Sequence, residues 1–109
     1  MTTVTFLTEG SRITGFDAAG HSGYASEGED IVCAAITSTV RLIECTLNDV
    51  MGICAAVKVN ENTATISLRL PAGLSQGIES TCQTVLTGMM VYLSELHDEY
   101  PDFIEVLEA

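Results

Sequence analysis

Basic residues are scarce in this sequence. Arg12, Arg41, Lys58 and Arg69 face fifteen Asp and Glu residues, leaving a formal net charge of −11 at pH 7. Such a field repels phosphate backbones and anionic lipid, so neither direct nucleic-acid binding nor a membrane partner is expected. It would attract a basic protein or peptide, although excess acid also serves simply to keep a small domain soluble. No stretch reaches the roughly 18 consecutive apolar residues needed to span a bilayer. The opening "MTTVTFLTEG" lacks the basic and apolar regions of a secretion signal. The expectation is a soluble, cytoplasmic protein.

Metal-ligand spacing is missing as well. Cys33, Cys45, Cys54 and Cys82 fit no zinc pattern, and His21 and His97 are the only histidines, so no metal and no cofactor are expected. In a reducing compartment the four thiols should be free, not bridged.

What is present suffices for one core. The chain has 109 residues, 47% of them hydrophobic, and 1–109 is read as a single domain. Val4 and Phe6 alternate with the more polar Thr3, Thr5 and Thr8, and "TEGS" turns the chain into "RITGFDA", which predicts a hairpin. Val32, Ile36, Val40, Ile43, Leu47 and Val50 recur at helical spacing and predict an amphipathic helix ending near Gly52. "GICAAVKV" and "TATISLRL", joined at "NEN", predict a second hairpin. Ile78, Cys82, Val85, Met89, Tyr92 and Leu96 predict a second helical stripe, and Pro101 leads into a short last strand, "DFIEVLE". The order ββαββαβ, with strands patterned on one face, predicts an α+β fold of two layers, two helices on one face of a mostly antiparallel sheet.

One stretch looks chemical. "GHSGYASEGEDIVCAA", Gly20 to Ala35, places a histidine and a cysteine at either end of a glycine-rich acidic loop. Asp30 is a good helix N-cap residue, which would put Cys33 in the first turn, where free N–H groups and the helix dipole favour a thiolate. Asp30 could instead orient the imidazole of His21; capping is the commoner role. Gly20, Gly23 and Gly28 are either ordinary turn residues or let the loop, with Ser22 and Tyr24, fold back as a lid that contacts substrate. A cysteine near a helix start is more often a small buried hydrophobe than a nucleophile. Cys45, Cys54 and Cys82 read as core, and His97 as a solvated helix end that complements the dipole.

The pieces "GHSGYA" at 20–25 and "DIVCAA" at 30–35 resemble, in order and spacing, the signature of the ribosomal-processing cysteine proteases called Prp. The resemblance implies a homodimeric cysteine protease with His21 and Cys33 as its catalytic dyad and no metal or cofactor. It also implies a substrate that is a large-subunit ribosomal protein, losing an N-terminal extension by cleavage after an aromatic pair. The family often carries a serine four residues after the cysteine; here that position is Thr37, a candidate supporting hydroxyl. In outline, His21 takes the thiol proton, the Cys33 thiolate attacks the carbonyl, and the oxyanion faces the free amides of the helix start. The rival reading is a non-enzymatic module that docks basic proteins on its acidic surface and is indifferent to the thiol. A redox sensor is weaker, since no resolving cysteine lies nearby in sequence.

Overall fold

The structure, a computed structural model, describes residues 1–20 and 27–109, with side chains of the first helix described from residue 30 onward. Strand β1 (Thr2–Glu9) and strand β2 (Arg12–Ala19) form the first hairpin. Helix α1 (Glu27–Glu44) runs on through a π-helical segment, Cys45–Val50. Strands β3 (Ala56–Asn60) and β4 (Thr65–Arg69) form the second hairpin, followed by helix α2 (Gln76–Glu99) and strand β5 (Ile104–Glu108). The order ββαββαβ and the α+β class are as the sequence predicts.

The sheet order is β3-β4-β2-β1-β5, antiparallel throughout except for the parallel pair of β1 with β5. Alternation along β1 turns Thr2, Val4 and Phe6 to the helix side, where all three are buried. In β2 the inward residues are Ile13, Phe16 and Ala18, which break strict alternation. The pairing steps from Leu7↔Gly15 to Thr8↔Ile13, so Thr14 is an extra, bulged residue that shifts the phase. The Gln83 side chain bridges the strand here: its amide donates to the Ile13 carbonyl at 2.8 Å and its oxygen accepts from the Ile13 amide at 2.7 Å. Beside it, Arg12 pairs with Glu79, also on α2. Phe6 and Phe16 meet across the hairpin at 6.0 Å between ring centroids, a tilted pair that adds about 0.5–1.5 kcal/mol to the burial of two large side chains.

Both helices feed the same core, but each departs from its expected stripe. On α1 the predicted face is buried from Val32 to Leu47, whereas Val50 is 77% exposed. The wider i→i+5 turns of the π segment delay the next inward position, and Met51 packs on the core instead. On α2 the buried row is Cys82, Leu86, Met89, Leu93 and Leu96. Ile78 and Tyr92, placed on the core face by spacing, are exposed: Leu86 and Leu93 shift the buried stripe away from Tyr92, while Ile78 shares the side of buried Leu96 but sits in the first turn of the helix. The second hairpin also starts later than its alternation suggests. Ile53 and Ala55 are buried in the connection before β3, held by Asn48, whose oxygen accepts from the Ala55 amide at 2.7 Å and whose amide donates to the Ala55 carbonyl at 3.1 Å.

Candidate active site

Cys33 lies on α1 beside the buried row Val32, Ile36 and Val40, and is itself half-buried. That phase tips its side chain over the start of β1, where the Thr2 hydroxyl oxygen stands 3.7 Å from the Cys33 sulfur. Thr2 is only 2% exposed and is the buried polar side chain of the described core. Its backbone is held on both sides of the strand. The Thr2 amide donates to the Phe103 carbonyl at 3.0 Å, Thr2 aligns with Ile104 of β5, and the next residue, Thr3, pairs with Ala19 of β2. Sequence reasoning missed Thr2. The signal was available, since it occupies the same alternating face as Val4 and Phe6 and is the one member of that row with a polar group.

Gly20 brings the chain before residue 21 to this same end of the sheet. Its φ is +108°, and a Cβ placed on it would fall 2.5 Å from the Met1 carbonyl oxygen and 3.4 Å from the Thr2 Cα. The position therefore needs glycine for both its backbone angle and its closeness to β1. Thus Gly20, Thr2 and Cys33 form one corner of the molecule. The expectations for His21, Ser22, Gly23 and Tyr24 lie outside the described residues.

Two expectations at the helix start are corrected. Helix α1 begins at Glu27, so Asp30 is inside the helix, exposed, and cannot be its N-cap. Gly28 is likewise a helical residue and not part of a loop. Cys33 consequently sits six residues beyond Glu27, where the chain is already helical, about 9 Å along the axis. Its own amide is committed to the helical ladder, and dipole stabilisation fades within the first turn. The helix-start amides therefore do not form an oxyanion hole next to the sulfur. Thr37, half-buried, lies one turn farther along on the same side of α1 as Cys33.

The remaining thiols and His97 also differ from expectation. All four cysteines are free, but only Cys82 is core, while Cys45 and Cys54 are exposed. Cys45 opens the π segment and Cys54 adopts a left-handed φ of 58° in the connection to β3, so neither follows the apolar stripe beside it. Burial pushes the Cys82 thiol up from its ordinary range, with Glu79 adding to the effect and Arg12 opposing it. His97 is half-buried and not solvated: its Nδ1 lies 2.6 Å from the Ile104 carbonyl oxygen, tying the end of α2 to β5.

Burial sets Cys82 apart from the exposed thiols, and a nucleophilic Cys33 would stand out from all three. Brief iodoacetamide treatment of the native protein, followed by peptide mapping, should label Cys33 first and Cys82 last. Cys45 and Cys54 are more accessible than Cys33, so a faster Cys33 reports thiolate character rather than access. Faster labelling of either exposed cysteine would remove that inference.

Among the described residues no group of three or more His, Cys, Asp or Glu side chains could hold a metal ion, and no helix is long and apolar enough to cross a membrane.

Comparison with known proteins gives a consistent result. The family model described as cysteine protease Prp matches residues 1–105. The ribosomal processing cysteine protease Prp of Bacillus subtilis (strain 168) is 26% identical over 94 residues, covering 86% of this chain and 84% of that protein. Two crystal structures of an essential ribosomal processing protease Prp from S. aureus share the fold over the full length of both chains. The complex with a substrate peptide has a TM-score of 0.85 at 18% identity, and the complex with a covalently linked product peptide has a TM-score of 0.81 at 20% identity.

Proposed function

Because the chain belongs to the cysteine protease Prp family, we propose that residues 1–109 form one protease domain in which His21 and Cys33 are the catalytic dyad. We further propose that its substrate is a basic large-subunit ribosomal protein carrying an N-terminal extension. The observation that carries this reading is the family match over residues 1–105, which takes in both members of the dyad. The Bacillus relative is a ribosomal processing protease, and the S. aureus relative has been captured with a covalently linked product peptide. Both facts support the substrate class and a covalent route.

In this mechanism His21 removes the Cys33 thiol proton, and the thiolate adds to the scissile carbonyl carbon. The tetrahedral intermediate collapses as His21 returns the proton to the leaving amine, which frees the new N-terminus and leaves a thioester on Cys33. Water, deprotonated by His21, then releases the carboxylate product and restores the thiol. Asp30 remains a candidate for orienting the imidazole, and Thr37 a supporting hydroxyl. Ser22, Gly23 and Tyr24, between the dyad residues, are the proposed contacts for the substrate's aromatic pair. Incubation with the ribosomal protein bearing its extension, read by intact mass, tests the proposal. One cut after the aromatic pair is expected, and an unchanged mass would overturn it.

The charge balance adds a kinetic expectation. A chain of net charge −11 should steer a basic protein toward it, and ions screen that attraction over about 8 Å at physiological salt. Raising salt should therefore lower kcat/KM for the full-length ribosomal protein more steeply than for a short, nearly neutral extension peptide. Equal slopes in a salt series would refute electrostatic steering.

The proposal includes a homodimer. Its candidate surface is the apolar groove of about 310 Å³ between α1 and α2, lined by Leu42, Val85, Gly88 and Tyr92 among others, with Leu42 65% exposed. Leu42→Glu should convert the dimer to monomer in sedimentation analysis.

A further inference from the structure

We propose that the Thr2 hydroxyl is a working part of the nucleophile, donating a hydrogen bond to the Cys33 sulfur and holding it as a thiolate. The inference rests on Cys33 being the nucleophile and adds a residue that the dyad does not contain.

Thr2 occupies an inward position of β1 and is 2% exposed, in a row whose next members, Val4 and Phe6, are wholly buried. Valine is nearly isosteric with threonine, shares its branching, and would fill such a position with no polar atom to satisfy. A buried hydroxyl left unpaired costs about 1–3 kcal/mol, so a threonine here requires a partner. Among the described residues that partner is the Cys33 sulfur, 3.7 Å away. The separation would be long for an oxygen acceptor; sulfur is larger and its contacts are correspondingly longer.

The chemistry of the pair is asymmetric. Between a neutral thiol and a hydroxyl either atom can donate, and both are weak partners. Once His21 has taken the thiol proton, the sulfur can only accept, and the hydroxyl rotates its hydrogen toward it. The bond is then charge-assisted, stronger than the neutral one. The hydroxyl thus favours the ionised nucleophile while keeping its own proton, so no proton transfer through Thr2 is involved. When the sulfur becomes a thioester it loses its charge and the bond weakens, leaving the acyl group free to be hydrolysed.

The geometry also fixes direction. The Thr2 amide is bonded to Phe103 and the strand is flanked by β2 and β5. Gly20 presses against Met1 and Thr2 from the other side. A hydroxyl on a strand held in this way offers the sulfur a fixed donor, in place of the helix-start amides that lie too far back along α1.

The test is the rate of Cys33 alkylation by iodoacetamide against pH, resolved by peptide mapping, in Thr2→Val, Thr2→Ala and Thr2→Ser. Loss of the hydroxyl should slow labelling of Cys33 about three- to tenfold near neutral pH, with the rate recovering to that of the unsubstituted protein at alkaline pH. Thr2→Ser should restore most of the neutral rate. Thr2→Ala serves the same purpose if the valine variant has a lowered melting temperature. Unchanged labelling in a folded Val or Ala variant overturns the proposal. So does a loss that is equal at every pH or not restored by serine, since either reports displaced backbone. Alkylation needs no substrate, so the outcome is separable from the protease reading. If Cys33→Ala still cleaves but Thr2→Val slows labelling, the protease mechanism fails and the Thr2 contact stands; a required Cys33 with an indifferent Thr2 has the opposite meaning.

Discussion

Cys33→Ala and His21→Ala should each lower kcat/KM for extension removal by on the order of 10⁴-fold or more, with folding intact. A nucleophile and its base act as one unit, so the double variant should be no worse than the more damaging single one. The Cys33 substitution does not open the main core, since Cys33 is only half-buried and flanks the buried row of α1. Circular dichroism and melting temperature therefore provide the control. Asp30→Asn separates its two candidate roles cleanly, because Asp30 lies within α1 and no longer has a capping role to lose. An effect within a few-fold is expected for an exposed helical carboxylate. A loss matching that of His21→Ala would make Asp30 the group that orients the imidazole. Retention of near-normal turnover by Cys33→Ala would remove Cys33 as the nucleophile.

Gly20→Ala should damage stability and turnover together. A Cβ there would stand 2.5 Å from the Met1 carbonyl oxygen, at a φ of +108° that residues with side chains rarely adopt. Relief requires the start of β1 to move, which is expected to cost about 1–3 kcal/mol. That movement carries Thr2 away from Cys33 and shifts the chain entering residue 21. Gly15→Ala is the informative comparison. Its Cβ would meet the Leu68 carbonyl oxygen at 2.1 Å, but between β2 and β4 and not beside Thr2. It should destabilise at least as much while the folded fraction retains its kcat. If both variants lose the same stability and both keep full kcat, Gly20 has no part in shaping the site.

Elements and their order were readable because each depends on local pattern: alternation in β1 and β4, helical spacing from Val32 to Leu47, and Pro101 before β5. The family signature was readable because its residues cluster between Gly20 and Ala35. Less was legible where a choice depends on partners distant in sequence. On α2, spacing cannot decide between the Leu86–Leu93 side and the Tyr92 side; packing against the sheet does. Cys45 and Cys54 sit next to apolar residues, yet a π turn and a left-handed backbone carry them to the surface. Asp30 satisfies every local criterion for a cap, but the helix starts a turn earlier. Thr2 acquires its meaning only from Cys33, 31 positions away in sequence.

The placement of β5 beside β1 has a consequence for the life of the nascent chain. Thr2 aligns with Ile104, the Thr2 amide bonds to Phe103, and Ala109 bonds to Phe6 and Thr8. The strand beneath Cys33 therefore keeps an open edge until residues 104–109 have emerged from the ribosome. Contacts of such long sequence separation form late, after the loop between them has been closed. The first hairpin and α1 can assemble early, but the floor under the sulfur is completed only by β5. Peptidase activity should thus appear only after residues 104–109 have emerged and paired with β1. A ribosome-stalled chain halted before residue 104 should bind hydrophobic dyes and edge-pairing partners while remaining inert toward its substrate.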